Sequence, residues 1–179
     1  MGLDLDCNGI NVRVGSYSTY HTLKSLLIDT ARWYLEAEIQ CKKEESKEEW
    51  DMAYIDMKNM QDLLKEMQGE NVDFSYINDS LELFNLQGLK HFIHHSDCDG
   101  RWDSSEAGEI YDFLKTTIKK CIPAYQKTEK QTLLDYIDVR NEEIFNNPDK
   151  YSAEELADSF YLAPVLKESM ESGEDIYFC

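Results

Sequence analysis

The stretch LDLDCNGINVRVG, residues 3–15, decides the class of fold. Apolar and polar residues alternate over Leu3–Cys7 and again over residues 10–14, with Asn8 and Gly9 between the two runs. A two-residue hairpin turn needs a positive φ at both central positions, which an Asn-Gly pair adopts at low cost. This pattern therefore predicts an N-terminal β-hairpin.

The rest of the chain has the apolar spacing of helices, with an apolar residue every three to four positions. Capping residues mark several helix starts: Ser16 or Ser18, Asp79, and Ser152 with Glu155 three residues later. A Gln-Gly pair at positions 87–88 interrupts the third helical segment. Helices are expected over residues 16–40, 46–68, 81–94, 104–120, 127–145 and 152–171.

Residues 175–179 are compatible with a third strand that joins the hairpin. The chain of 179 residues contains only three prolines and no low-complexity linker, which predicts a single domain over residues 1–179. We therefore expect an α+β fold, mostly helical, in which the N-terminal hairpin and this C-terminal strand pack on about six helices.

The charge of the chain limits the classes of partner. Its 36 acidic and 18 basic residues give a net charge of -18, which disfavours nucleic-acid polymers and anionic membranes and favours cations and basic partners. The five cysteines include no CxxC pair, and the N-terminus, MGLDLDCNG, lacks the basic and apolar segments of a signal peptide. A cytoplasmic protein is expected, in a bacterial host cell if the chain is encoded by a phage.

The segment HSDCDGRWDSSE, residues 95–106, has the spacing of a calcium-binding EF-hand loop. Such a loop has Gly at position 6, and placing Gly100 there assigns the other positions. The ligands would be Asp97 at position 3, Asp99 at 5, the carbonyl of Arg101 at 7, Asp103 at 9 and Glu106 at 12. Apolar helical segments are expected on both sides, as in a helix–loop–helix.

Position 1 of this loop is His95 instead of the usual Asp. Imidazole is a poor ligand for a hard cation, so weakened calcium binding is expected. Since a second loop of this kind is absent from the sequence, a structural role for the cation is favoured over a sensor role. The alternative interpretation is an ordinary turn in which Asp103 caps the next helix.

A transition metal is the rival interpretation of the same segment. His91 and His95 are four residues apart, and His94, Cys98 and the two loop aspartates are close in sequence. Imidazole and carboxylate ligands suit zinc or iron. A small metal-dependent hydrolase that uses His91, His95 and Asp97 is therefore a further hypothesis.

The junction between the hairpin and the first helix is a candidate anion site. Backbone amides at a helix start, with nearby hydroxyl and basic groups, suit a phosphate. The candidate ligand-binding residues are Arg13, Gly15, Ser16, Tyr17, Ser18, His21 and Lys24. The alternative is a plain Ser/Thr helix cap, and the segment lacks the spacing of a P-loop or a dinucleotide-binding motif.

Three segments together resemble a group of small uncharacterised bacterial and phage proteins. These are MGLD at residues 1–4, the GSYS segment that begins at Gly15, and HSDCDG at residues 95–100 after an apolar segment. The group often has a proline and a cysteine after the motif, whereas this chain has SSEA at residues 104–107. The resemblance therefore does not extend to Glu106, and it implies a bacterial or phage origin without implying an activity.

Three functions follow from these patterns. The first is a non-enzymatic binding protein with one EF-hand-like cation site, which binds a small ligand or a protein partner. The second is a phage anti-defence protein that sequesters a nucleotide immune signal at the GSYS junction. The third is the metal-dependent hydrolase.

Overall fold

A computed structural model of the protein describes residues 3–45, 52–68, 77–94, 100–125, 143 and 147–179. The strands in this part of the chain are β1 (Leu3–Cys7), β2 (Ile10–Gly15), β3 (Arg101–Trp102) and β4 (Ile176–Phe178). The helices are α1 (Tyr17–Glu45), α2 (Met52–Glu66), α3 (Asn78–Leu83), α4 (Gly88–His94), α5 (Ser104–Tyr125), α6 (Ala153–Asp158) and α7 (Ala163–Ser172), with a 3-10 turn over Pro148–Lys150.

The predicted hairpin and α+β class are confirmed. Strands β1 and β2 pair antiparallel, and the turn residues Asn8 and Gly9 have φ values of 51° and 85°. The C-terminal strand also forms, because β4 pairs antiparallel with β1 and aligns Leu5 with Phe178. The order of the sheet is β2-β1-β4-β3, so the two ends of the chain meet at its centre.

Strand β3 was not predicted from the sequence. It contains two residues, Arg101 and Trp102, which pair with Tyr177 and Ile176 of β4. The side chain of Trp102 is buried and Arg101 is exposed, as expected for neighbouring residues of a strand. A strand of two residues is too short to show an alternation of apolar and polar residues in the sequence. It is recognised only by its pairing with β4.

Two predictions about helix ends were wrong. Asp79 is not a helix cap, because α3 begins at Asn78 and Ile77 precedes it without a side-chain capping bond. The expected helix over residues 152–171 is divided into α6 and α7, with Pro164 in the first turn of α7. Proline lacks the N–H that a continuous helix needs and clashes with the carbonyl four residues earlier.

Other helix predictions agree in position. Ser152 and Glu155 form the expected capping box at the start of α6. Helix α1 continues to Glu45, five residues beyond the expected end near residue 40. Apart from Glu143, which is helical, the predicted helix over residues 127–145 lies outside the described residues, and so does the predicted helix start at residues 46–51.

The core is arranged around α5, which contacts α1, α4, α6 and α7. Its buried residues include Ile110, Phe113, Leu114 and Ile118, which have the three- to four-residue spacing of one helix face. The inner face of the sheet joins the same core through edge-to-face ring contacts of Trp102 with Phe92 of α4 and Phe178 of β4, at centroid distances of 4.9 and 4.8 Å. No helix in the described ranges is both long and apolar enough to cross a membrane.

Candidate cation-binding site

The elements around the predicted loop match a helix–loop–helix. Helix α4 ends at His94, one residue before loop position 1, and α5 begins at Ser104, loop position 10. The candidate ligands His95, Asp97 and Asp99 lie in a gap of the described chain. Arg101, Asp103 and Glu106 lie in the described part of the chain.

Arg101 lies in strand β3, and its side chain forms an ion pair. Its guanidinium donates to Asp175 Oδ2 at 2.8 Å, and the Phe178 N–H donates to the Gly100 carbonyl at 3.1 Å. Antiparallel ladders alternate hydrogen-bonded and non-hydrogen-bonded pairs. Gly100 and Phe178 form a hydrogen-bonded pair, so the next pair, Arg101 and Tyr177, is a non-hydrogen-bonded one. The Arg101 carbonyl therefore points away from β4.

Asp103 and Glu106 form a reciprocal capping box at the start of α5. The Glu106 N–H donates to Asp103 Oδ1 at 2.9 Å, and the Asp103 N–H donates to Glu106 Oε2 at 3.0 Å. This arrangement satisfies two backbone donors at the helix start, and the negative charges lie at the positive end of the helix dipole. The capping role considered for Asp103 is therefore present in the structure.

His91 of α4 lies between two carboxylates of α5. Its Nε2 is 2.7 Å from Glu109 Oε2, and its Nδ1 is 3.2 Å from Glu106 Oε1. The side chain of His91 is only 10% exposed. His91 therefore links α4 to α5 through contacts with Glu109 and Glu106.

The packing of α4 on α5 places His91 in this position. A Cβ atom built on Gly88 would lie 2.2 Å from the Glu109 carbonyl oxygen and 2.8 Å from the Ile110 Cα, so only glycine allows this approach of the two helices. Lys90 adds an ion pair to Glu109 at 3.4 Å. The two helices that flank the loop are therefore joined by close backbone packing and by charged contacts.

The rival transition-metal set is only partly described. Of its histidines, His91 contacts Glu106 and Glu109, and His94 is exposed near the end of α4. Among the residues whose placement is described, no group of three or more His, Cys, Asp or Glu side chains has an arrangement that would hold a metal ion. Any site of either kind would depend on residues 95–99.

The candidate anion site at the start of α1 is a hydroxyl capping cluster. The Thr19 N–H donates to Ser16 Oγ at 3.3 Å, and the Ser16 N–H donates to Thr19 Oγ1 at 3.3 Å. Ser16 Oγ also lies 2.6 Å from Ser18 Oγ. This geometry agrees with the Ser/Thr cap that was the alternative interpretation, and it identifies Ser16 as the cap.

The other candidate residues near this helix start have separate surroundings. Arg13 is exposed on β2, opposite Asp4 in the strand register. Lys24 Nζ lies 4.8 Å from the centroid of the Tyr20 ring, and His21 is exposed on α1. Gly15 ends β2 with a φ of 108°, and the side chain of Tyr17 is outside the described part. The basic residues of this set therefore lie on two elements, Arg13 on β2 and His21 and Lys24 on α1.

A network at the interface of α5, α6 and α7 was missed in the sequence. The Tyr111 hydroxyl donates to Asp158 Oδ1 at 2.6 Å, and Lys167 Nζ donates to both Asp158 oxygens at 3.0 Å. Burial and the hydrogen bond to Asp158 raise the pKa of Tyr111, and the same carboxylate raises the pKa of Lys167. The three residues are on different helices, so no local pattern indicated their contact.

Two of the described cysteines, Cys121 and Cys7, are buried. The Cys121 thiol donates to the Thr30 carbonyl at 3.2 Å, and burial raises its pKa to about 12. Burial also raises the pKa of Cys7. A thiol must ionise to attack a substrate, so these two residues have structural roles.

A surface cavity of about 340 Å³ lies between α2 and α3. Three carboxylates line it, from Asp62, Glu66 and Asp79, together with the apolar side chains of Leu63 and Leu83. Such a lining repels a phosphate group. This cavity therefore does not favour the nucleotide hypothesis.

No protein-family model matches this chain, and neither do the curated proteins or the solved structures with which it was compared.

Proposed function

We propose that this protein is a non-enzymatic binding protein in which residues 95–106 bind one divalent cation, preferably calcium. The observation that carries the proposal is the Arg101 carbonyl, which points away from β4 and precedes the Asp103–Glu106 pair along the chain. An EF-hand loop requires this backbone carbonyl as a ligand, together with carboxylates two and five residues later. The three groups have the required order along the chain.

The cation would have a structural role. Gly88 allows α4 to pack on the backbone of α5, and His91 joins the same two helices through Glu106 and Glu109. A sensor loop opens its flanking helices when calcium binds. Such an opening here would break the close Gly88 contact, so we propose that the cation stabilises residues 95–99 and the adjoining strand β3.

The proposal is tested by calorimetric titration of the protein with calcium, magnesium and zinc. We expect one calcium ion to bind with a Kd of about 10⁻⁴ M, at the weak end of such loops. At ~10 mM calcium this affinity would stabilise the fold by about 2.7 kcal/mol, which a thermal melt would detect.

Two variants and one control define the site. Glu106→Gln and Asp97→Asn are expected to weaken calcium binding about ten-fold or more, because each removes a charged oxygen ligand. Glu36→Gln removes the same charge from an exposed position on α1 and should leave the affinity nearly unchanged. Absence of calcium binding at millimolar concentrations would overturn the proposal, and tighter zinc binding that depends on His95 would favour the transition-metal hypothesis.

A further inference from the structure

Strand β2 forms one edge of the sheet, and among the described residues it pairs with β1 alone. Its ladder with β1 begins at a two-residue turn, so Cys7 and Ile10 on either side of the turn form a hydrogen-bonded pair. Along an antiparallel ladder such pairs alternate with pairs that are not hydrogen-bonded. The backbone N–H and C=O groups of Asn11 and Arg13 therefore point away from β1, toward the open edge.

The contacts on the other side of β1 agree with this alternation. Asp4 lies opposite Arg13 in the register, and its N–H and C=O groups bond to Cys179 beyond the end of β4 at 3.1 and 2.9 Å. Because these groups of Asp4 point toward β4, they do not bond to β2. Arg13 therefore keeps its own backbone donor and acceptor on the open side of the sheet.

This edge lies in the longest part of the chain without an acidic residue. Residues 7–28 contain no Asp or Glu, although the chain has 36 acidic residues. The only charged residue of β2 is Arg13. Two copies of a chain with a net charge of -18 repel each other, so an acid-free edge is where they can approach at the lowest electrostatic cost.

We propose that two copies of this chain associate through β2, which pairs antiparallel with β2 of the second copy to form one continuous sheet. The pairing is centred on Val12, which lies opposite Val12 of the second copy. Asn11 of each copy then lies opposite Arg13 of the other, and the outward backbone groups of both residues form hydrogen bonds across the edge. This inference rests on the sheet and is independent of the proposed cation site.

The charges on the outer face favour this register. Pairing Arg13 with its own copy would set two positive charges directly opposite each other, and pairing Asn11 with its own copy would place Arg13 against the turn at Gly9. In the proposed register, Arg13 of one copy lies beside Asn11 of the other, whose neighbour on β1 is Asp6. Since Asp4 lies opposite Arg13 within its own chain, each arginine has a carboxylate of both copies nearby.

The core side of the same edge is apolar. Ile10, Val12 and Val14 alternate along β2 with the residues of the outer face. Ile10 is 39% exposed, and in the proposed register it lies opposite Val14 of the second copy. Pairing through β2 therefore extends the apolar layer under the sheet from one copy to the other.

Sedimentation velocity of the full chain over about 10⁻⁶ to 10⁻³ M tests the association. We expect a monomer–dimer equilibrium with a Kd of about 10⁻⁴ M, because pairing of one strand makes a small interface. Asn11→Pro removes an N–H that points to the open edge and costs no bond to β1, so the fold should persist while Kd rises about ten-fold or more. Asn11→Ala is the matched control, which removes the same side chain, keeps the N–H and should change Kd about three-fold or less.

Cross-linking tests the register. Cys41 and Cys179 are exposed and Cys98 lies outside the described residues, so all three are first replaced by serine. In this background, oxidation of Val12→Cys should link two copies, because Cα atoms of a non-hydrogen-bonded pair are about 4.5 Å apart, within the range of a disulfide. Ile10→Cys is the control, since position 10 is far from position 10 of the second copy and should not form a link.

Each outcome decides the inference. A monomer over the whole concentration range would overturn it, whether or not another extended segment pairs with β2. A dimer whose Kd is the same in Asn11→Pro would overturn it too, because such a dimer uses another surface. Equal cross-linking of Ile10→Cys and Val12→Cys would contradict the register.

A further measurement applies if circular dichroism shows that Asn11→Pro does not fold. In the unaltered protein, amide hydrogen exchange of Asn11 and Arg13 should slow about five-fold between ~10⁻⁵ and ~10⁻³ M, because the dimer protects these two N–H groups. Exchange that does not depend on protein concentration would overturn the inference.

Discussion

At the residue scale, the role of a side chain depends on the hydrogen bonds and ion pairs that its neighbours can form with it. Glu106 illustrates this point, because the same carboxylate caps α5 through the Asp103 N–H and contacts His91 of α4. Its position in a capping pattern is visible in the sequence. Its contact with a histidine fifteen residues earlier is visible only in the fold.

Tyr111 provides a prediction about alkaline stability. Burial raises its pKa, so the folded chain keeps the phenol protonated above pH 10, where the same phenol ionises in the unfolded chain. The unfolded state then binds fewer protons, and stability falls as pH rises above 10, by up to about 1.4 kcal/mol per pH unit from this group.

The measurement is urea denaturation between pH 8 and pH 11. Tyr111→Phe should show a shallower loss of stability over this range, together with a cost of about 1 kcal/mol at pH 8 from the lost hydrogen bond to Asp158. Tyr177→Phe is the control, because it removes a half-exposed phenol and shows how that loss alone changes the dependence of stability on pH. Equal slopes in Tyr111→Phe and the unaltered protein would contradict the prediction.

At the element scale, helix starts were predictable where a side chain caps the backbone. Ser16 and Ser152 each accept a hydrogen bond from the N–H three residues later, as their sequence patterns indicated. Helix α4 differs, because its position depends on the backbone of α5 and on the absence of a Cβ at Gly88. Such a requirement does not follow from a local pattern.

Gly88→Ala is therefore expected to destabilise the protein by about 2–3 kcal/mol, although alanine usually favours helices over glycine. The added Cβ would lie 2.2 Å from a backbone oxygen, and relief of this contact requires α4 to move away from α5. Urea denaturation monitored by circular dichroism would measure the loss.

Gly108→Ala is the control on α5. Apart from the adjacent backbone of α5 itself, no atom lies within 4 Å of a Cβ built on Gly108, so this change should stabilise the protein by up to about 1 kcal/mol. A stabilising effect of both alanines would show that α4 does not pack as described.

At the scale of the whole molecule, the two ends of the chain form the centre of the sheet. Strand β4 lies between β1 and β3, and the backbones of Asp4 and Cys179 exchange two hydrogen bonds at 2.9 and 3.1 Å. Strand β3, which lies within the candidate cation loop, and the last strand of the chain are therefore part of one sheet. Substitutions in β4 should therefore also affect the stability of β3 and of the start of α5.

Two neighbouring residues of β4 test this arrangement. Phe178 is 8% exposed and packs on Trp102, so Phe178→Ala should cost about 3 kcal/mol or more. Tyr177 is 51% exposed on the other face, and Tyr177→Ala should cost less than about 1 kcal/mol. Similar costs for the two variants in urea denaturation would contradict the placement of β4.

The sequence by itself determined the hairpin, the helical class, the capping of α1 and α6 and most of the buried face of α5. These features depend on contacts between residues close in the chain, so turn chemistry and apolar spacing predict them. The division between α6 and α7 also has a local cause, Pro164, which is visible in the sequence. The regular apolar spacing over residues 152–171 nevertheless predicted one continuous helix.

Only the tertiary structure decided the sheet order, strand β3, and the contacts of His91 and Tyr111. Each of these joins residues that are far apart in sequence or on different helices, and burial of a shared core brings them together. The loop spacing of residues 95–106 predicts possible ligands. The direction of the Arg101 carbonyl and the contact of Glu106 with His91 arise from packing against β4 and α4, because neighbouring elements limit the positions that backbone and side chains can take.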